Sequence, residues 1–160
     1  MSFCAWNASM SVGDAFIDSD HQGLIHLINR LHENAGVEGQ YDKVSEIVDR
    51  LIDYTAFHFS REEQLMRVCE YPELSEHKAA HDHFSASIHE YRKSLRPDVV
   101  EAKATALAEY LKAWLTNHIL VEDAAYKKCF RDNPETERVS ALFGPGLIDR
   151  VRDRQSGWRR

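Results

Sequence analysis

The chain has 160 residues, of which 43% are hydrophobic and 29% are charged, and its formal net charge is −6. This length fits one domain with a hydrophobic core, and the acidic balance argues against a general nucleic-acid-binding protein, whose surface should be basic. Seven Gly and four Pro residues are a low count, which disfavours an all-β fold and favours long helices.

An extended N-terminal arm, residues 1–17, precedes the first predicted helix. Ser19 and Gln22 have the spacing of a capping box, so we expect the helix to begin there. Apolar residues then recur at the spacing of one helical face, and the pattern fades at Gly36 and Gly39.

Three further helices follow. Apolar residues over 44–66 form an unbroken i, i+3, i+4 series, and Pro72 ends it because proline disfavours helix at the preceding residue. A third helix is predicted over residues 75–95, with Pro97 after it, and a fourth over residues 98–130. Four helices of this length with short connections predict an all-α, up-down-up-down four-helix bundle.

Residues 131–160 differ from the bundle, which we place in residues 1–130. They contain Asn133-Pro134 and a Gly-Pro-Gly break, and their seven Arg and five acidic residues give a net charge of +2. We expect a C-terminal extension set apart from the bundle, with a short helix around residues 147–151. Its basic character suggests that it docks a protein partner with an acidic surface.

Cys4, Cys69 and Cys129 are an odd number of cysteines and form no CxxC motif. A disulfide or a thiolate zinc site is therefore not expected. We expect Cys69 and Cys129 to be small structural residues and Cys4 to be accessible in the arm. No apolar run is long enough for a transmembrane helix, and the first residues lack the basic segment of a secretory signal. These features predict a cytoplasmic protein with reduced thiols and no membrane association.

Ionisable residues interrupt the apolar faces of the helices. These residues are His21, His58, Glu62, His77, His81 and His118. Burying an unpaired ionisable group is costly, and a metal ion offers one explanation for all six, because it pairs with neutral imidazoles and carboxylates together. Each pair alone is a weak signal, and an isolated core histidine is more often a hydrogen-bonded structural residue. A structural bundle with incidental histidines is the alternative.

The donor set limits the metal chemistry. The HExxH zinc motif, the CxxCH haem motif and the Glu-x-x-His pairs of di-iron carboxylate bundles are absent from the sequence. A ligand set rich in histidine and poor in carboxylate suits iron, copper or zinc better than magnesium or calcium.

At these positions the sequence resembles the bacterial hemerythrins over about residues 3–130. The N-terminal part of the resemblance consists of Trp6, Val12-Gly13, Ile17-Asp18, Asp20-His21 and Leu27-Ile28-Asn29. The remainder consists of His58-Phe59-xx-Glu62-Glu63-xx-Met66, Tyr71-Pro72, His77-xxx-His81-xx-Phe84 and Trp114-Leu115-xx-His118-Ile119-xxx-Asp123. The resemblance implies seven metal ligands, namely His21, His58, Glu62, His77, His81, His118 and Asp123.

The seventh ligand is chosen by the resemblance alone. Helix geometry favours Glu122, which lies four residues after His118, whereas Asp123 at i+5 lies about 140° around an ideal helix. If Asp123 is the ligand, the fourth helix should be distorted between His118 and Asp123. We therefore predict a π-type distortion, which is common at functional sites.

The resemblance also implies a cofactor and a function. Two iron ions cycling between Fe²⁺ and Fe³⁺ would share an oxo or hydroxo bridge. His77, His81 and His118 would hold one ion, His21 and His58 the other, and the two carboxylates both. The second iron would then have an open position for dioxygen. The expected function is reversible dioxygen binding for carriage, storage or delivery, and not enzymatic catalysis. The alternatives are an oxygen or redox sensor module, and a di-iron enzyme acting on nitric oxide or peroxide.

We further expect a dry apolar pocket at the open position. Its candidate residues are Leu24, Ile25, Phe59, Trp114, Leu115 and Ile119. The histidines outside the ligand set are expected to be solvated or to lie around the ligands. They are His26, His32, His83 and His89.

Overall fold

A computed structural model describes residues 1–144. The main helices are α1 (Ala15–Ala35), α2 (Tyr41–Val68), α3 (Leu74–Ser94) and α4 (Val100–Asn117). The last continues through a six-residue π-helical segment, His118–Asp123, into α5 (Ala124–Arg131), and α6 (Pro134–Phe143) follows. The predicted all-α, up-down-up-down bundle is confirmed, with α4, the π segment and α5 together serving as the fourth helix.

The N-cap of the first helix lies five residues earlier than predicted. Asp14 is its N-cap, and the side chain of Asp14 accepts hydrogen bonds from the backbone N–H groups of Phe16 and Ile17. These bonds satisfy donors that a helix start leaves free. The capping box proposed for Ser19 and Gln22 is therefore wrong, because both residues lie inside α1.

A continuous apolar core joins the four long helices. α1 packs on α2 and α4, and α2 packs on α3. The core includes Leu31, Val48, Leu51, Ile88 and Leu111, each at most 2% exposed. At about 25 cal/mol per Å² of apolar surface removed from water, such burial is the main stabilising contribution to the bundle.

The N-terminal arm is bound to the bundle. The backbone N–H of Cys4 donates to the side-chain oxygen of Asn29 at 2.8 Å, and the Asn29 amide donates to the Cys4 carbonyl at 2.8 Å. The ring of Phe3 stacks on His32. Cys4 is only 4% exposed, so the expectation of an accessible thiol is wrong.

The other two cysteines form a disulfide. Cys69, at the end of α2, is bonded to Cys129 in α5, and their Cα atoms are 5.8 Å apart, within the usual range for a disulfide. The expectation that both are reduced structural thiols is therefore wrong. The two cysteines are 60 positions apart in sequence, and only the packing of α5 on α2 brings them together.

The described part of the C-terminal extension packs on the bundle. Asn133 and Pro134, interpreted above as a break, are the N-cap and first residue of α6. This helix contacts α2, α5 and α1 and buries Thr136 and Ser140. Residues 134–144 are thus not set apart from the bundle, contrary to expectation. The helix expected around residues 147–151 lies outside the described residues.

Candidate metal centre

The predicted distortion of the fourth helix is present. Residues His118–Asp123 are π-helical, with hydrogen bonds between residues five apart, so residues i and i+5 come to one face. Asp123 is fully buried and its Oδ1 lies 3.1 Å from His118 Nε2. Glu122, the partner favoured by regular helix geometry, is exposed.

All seven predicted ligand side chains come together in the interior. Two groups of donor atoms can each hold a metal ion, and within each group the atoms lie within 4.8 Å of one another. The groups are His77, His81, His118 and Glu62, and His21, His58, Glu62 and Asp123. We call the histidines of the first the three-histidine group and those of the second the two-histidine group. Every member is buried.

The carboxylate of Glu62 lies between the two groups. Its Oε1 is 3.7 Å from His21 Nε2 and 3.6 Å from His58 Nε2. Its Oε2 is 3.7 Å from His77 Nε2 and 3.2 Å from His81 Nε2. One oxygen therefore faces each group, as expected for a carboxylate that bridges two ions.

Asp123 has the same relation to the two groups. Its Oδ2 lies 3.1 Å from His21 Nε2, and its Oδ1 lies 3.2 Å from His77 Nε2. The oxygen near His77 is also the one near His118. The two carboxylates thus enter the cluster from α2 and from the π segment, and each presents one oxygen to either side.

The donor atoms fit metal ions better than they fit one another. Several buried side-chain atoms of the cluster make no hydrogen bond within residues 1–144, including Nε2 of His21, His58 and His77 and both oxygens of Asp123. Nε2 of His81 and of His118 lie 3.1 Å apart, although at most one neutral imidazole can donate there. Convergent lone pairs without donors are costly when buried, and a cation would satisfy them.

Electrostatics within the cluster also favours cations. Burial lowers the pKa of His21, but the adjacent carboxylates of Asp123 and Glu62 outweigh it and raise this pKa to about 9. The same balance raises the pKa of His77 to about 10. Burial would raise the pKa of Glu62, yet the surrounding histidines hold it well below its usual value. The carboxylates therefore attract positive charge, which metal ions supply in place of protons.

Comparison with known proteins identifies the family. The model of the hemerythrin HHE cation-binding domain matches residues 12–130. The chain belongs to the hemerythrin family. A bacteriohemerythrin of Stenotrophomonas maltophilia is 36% identical over 126 residues, which is 79% of this chain and 80% of that protein. One from Methylococcus capsulatus is 28% identical over 130 residues, 81% of this chain and 98% of that protein.

Solved structures agree with this assignment. A crystal structure of wild-type hemerythrin superposes with a TM-score of 0.71 and 27% sequence identity, and the match covers 80% of this chain and 98% of the other. The resemblance stated from the sequence is thus confirmed. The match to the family model ends at residue 130. Helix α6 therefore lies beyond the hemerythrin domain as that family model defines it.

Carboxylates outside the ligand set orient two histidines of the hemerythrin centre. Nδ1 of His58 lies 3.2 Å from Asp20 Oδ2, and Nδ1 of His81 lies 3.1 Å from Glu63 Oε1. A proton on Nδ1 leaves the lone pair on Nε2, which faces the centre, and a carboxylate partner strengthens that nitrogen as a ligand.

Tyr126 makes a specific contact with one of the predicted ligands. Its hydroxyl donates to Glu62 Oε1 at 2.5 Å, and the side chain is fully buried. Burial and the nearby Asp123 and Glu62 charges raise the pKa of Tyr126 well above its usual value, so the hydroxyl stays a donor. No role was predicted for Asp20 and Glu63, and their position beside ligands in the sequence was the available signal.

Two of the six predicted pocket residues stack on histidines of the centre. Leu24, Ile25, Phe59, Leu115 and Ile119 are buried in the core, and Trp114 is partly buried against it. The ring of Phe59 stacks on His81 at 3.8 Å, and that of Trp114 stacks on His118 at 4.4 Å. These two aromatic residues therefore cover the three-histidine group, whereas a pocket was expected at the two-histidine group.

The four remaining histidines are exposed, as predicted. They are His26, His32, His83 and His89. No helix among residues 1–144 is long and apolar enough to span a membrane.

Proposed function

We propose that this hemerythrin-family chain binds dioxygen reversibly at a non-haem di-iron centre. The observation that carries the proposal is the unequal pair of buried ligand groups, with three histidines on one side, two on the other, and Glu62 and Asp123 facing both. Dioxygen is the expected partner for carriage, storage or delivery.

The residues divide naturally between two ions. His77, His81 and His118 would hold one iron and His21 and His58 the other, with one oxygen of each carboxylate on either ion. The two-histidine side then offers one protein ligand fewer, which leaves a position for a small ligand. When bound, the di-iron centre supplies that position and two electrons that can be shared reversibly with dioxygen.

The protein surroundings suit a small uncharged ligand. His21, Glu62 and Asp123 are 0% exposed, and His58 is 1% exposed. A charged substrate would have to lose its hydration to reach this position, which is expensive in a low-dielectric interior. Dioxygen has no such cost. The hydroxyl of Tyr126 fixes Glu62 by donating to it.

The carboxylate count supports binding over oxidation chemistry. Within residues 1–144 the candidate centre contains two carboxylates and five histidines. Anionic ligands stabilise ferric and more oxidised states, so a carboxylate-poor set favours return to the ferrous state. We therefore propose a binding protein and not an enzyme.

Reconstitution tests this function. The protein is loaded anaerobically with ferrous iron, its iron content is measured, and its visible spectrum is followed as oxygen is added and then removed under vacuum. A new absorption band that appears with oxygen and disappears under vacuum is expected. Irreversible bleaching with turnover of peroxide or nitric oxide would instead support an enzyme, and an iron content near zero would overturn the di-iron proposal.

A sensor module is the second candidate, because the C-terminal segment contacts residues that reach the centre. Arg61 on α2 donates to the carbonyls of Ser140 and Gly144 at the end of α6. A partner that docks the basic extension, as the sequence suggests, would thus act close to His58. An oxygen-dependent change in partner binding would distinguish this role from simple carriage.

A cytoplasmic location stays a prediction from the sequence. The Cys69–Cys129 disulfide argues against a reducing compartment, where stable disulfides are rare. Alkylation of thiols in intact cells, followed by mass determination, distinguishes the Cys69–Cys129 disulfide from two reduced thiols.

A further inference from the structure

A buried arginine connects the C-terminal segment to the candidate metal centre. Arg61 of α2 is 0% exposed, and its Nε donates to Oδ2 of Asp20, also 0% exposed, at 2.9 Å. A buried guanidinium is costly unless all its donors are satisfied. The remaining hydrogen-bond partners of Arg61 therefore indicate which segment this residue binds.

The other partners come from the end of α6. Nη1 of Arg61 donates to the carbonyl of Ser140 at 2.8 Å, and Nη2 donates to the carbonyl of Gly144 at 2.6 Å. The rings of Phe16, Phe57 and Phe143 lie 5.2, 5.1 and 5.7 Å from the guanidinium carbon, within the range of cation–π attraction. The surroundings of the Arg61 guanidinium are thus formed by three elements, namely α1, α2 and the end of α6.

Asp20 transmits this arrangement to a predicted ligand. The oxygen that accepts from Arg61 also lies 3.2 Å from Nδ1 of His58. The other ring nitrogen of His58 faces Glu62 in the centre. A continuous series of hydrogen bonds therefore runs from the carbonyls at the end of α6, through Arg61 and Asp20, to His58.

We propose that Asp20 and Arg61 are positioning residues that set the donor strength of His58, and that the end of α6 holds Arg61 in place for this purpose. The proposal rests on the proposed function only in taking His58 as an iron ligand. An anionic acceptor on Nδ1–H makes Nε2 a stronger donor and stabilises the ferric ion. Arg61 opposes this effect, because its positive charge lies on the same carboxylate oxygen.

The two residues therefore have opposite effects on the metal. Asp20→Asn keeps an acceptor oxygen of the same size but removes the negative charge, so the midpoint reduction potential of the iron-loaded protein should rise. Arg61→Met removes the opposing positive charge, so the potential should fall. A merely structural role would disturb both variants in the same direction, because both lose the ion pair.

Ser140→Ala is the matched control. It removes the hydroxyl that donates to Asp14 at 2.9 Å but keeps the carbonyl that accepts from Arg61. Its potential should equal that of the unmodified protein. If Arg61→Met does not fold, Arg61→Lys replaces it. Lysine keeps the charge but cannot span all three acceptors, and a smaller downward shift is expected.

Cobalt(II) gives a readout that does not depend on oxygen. Cobalt(II) affinity, measured by competition with a chelator, should fall about tenfold to a hundredfold in Asp20→Asn and remain unchanged in Ser140→Ala. Unchanged affinity and potential in Asp20→Asn, or shifts of the same sign in both variants, would overturn the proposal. If oxygen binding is absent while these shifts occur, only the proposed function fails.

Discussion

Two histidines of the three-histidine group carry stacked aromatic rings, whereas His58 of the two-histidine group rests on a buried ion pair. Phe59 and Trp114 stack on His81 and His118, and the outer partner of His81, Glu63, has a side chain that is 12% exposed. On the other side, Asp20 and Arg61 behind His58 are 0% exposed. Both groups thus have a carboxylate behind one histidine, but only the charge behind His58 is shielded from water. A buried charge is screened less than an exposed one, so Asp20 should act more strongly on its histidine than Glu63 does.

The largest expected effect is the loss of iron from both ligand groups at once. Glu62→Ala removes the carboxylate that faces both sides, so iron content after anaerobic reconstitution should fall close to zero. The loss of one shared ligand weakens two sites, unlike the loss of any single histidine. Elemental analysis of the desalted protein measures it, and retention of two iron ions per chain would contradict the bridging geometry.

Removing one histidine ligand from one group should have a smaller effect on iron content. His81→Ala removes one ligand of the three-histidine group and should reduce iron retention mainly on that side. The matched control is His89→Ala, an exposed histidine on the same helix, which should retain iron fully. Equal losses in the two variants would show that the cluster is not the iron site.

The disulfide lies at the end of the bundle where α2 and α5 meet. Because it closes a loop of 60 residues, replacing both cysteines by serine should lower the free energy of unfolding by about 2–4 kcal/mol. Urea denaturation with and without reductant measures this change. Cys4→Ala serves as the control for reductant sensitivity, because Cys4 is outside the disulfide, and this variant should remain sensitive to reductant. If the double-serine variant were still reductant-sensitive, the pairing would be wrong.

A further expected effect is the pH dependence of the metal-free protein. The pKa values of His21 and His77, about 9 and about 10 when folded, are raised above about 6.5, the usual value for unfolded chains. Their contribution to stability is therefore fully present below about pH 6.5 and is lost as the pH rises through 9 to 10. Thermal unfolding of the metal-free protein should thus occur at lower temperature at pH 10 than at pH 6.5. Iron-loaded protein should show a weaker dependence, because its histidines are held by metal.

Much of the fold and the candidate site followed from local pattern. The apolar repeats of α2 and α3 located both helices to within a few residues, because burial on one face imposes the helical period on the sequence. His58 and Glu62, like His77 and His81, are four residues apart and so share a face. The start of α1 was missed because two capping sequences compete, and Asp14 rather than Ser19 makes the capping bonds. Only the resemblance to known hemerythrins selected Asp123 over Glu122.

The sequence by itself determined four helices, the five histidines on their buried faces and the family to which the chain belongs. These features are encoded by residues close together in the chain. Tertiary structure alone decided the Cys69–Cys129 bond, the packing of α6 and the contact of Arg61 with Asp20 and the end of α6. The disulfide and the hydrogen bonds of Arg61 join residues at least 41 positions apart, and such pairings depend on how helices pack, which no local repeat in the sequence records.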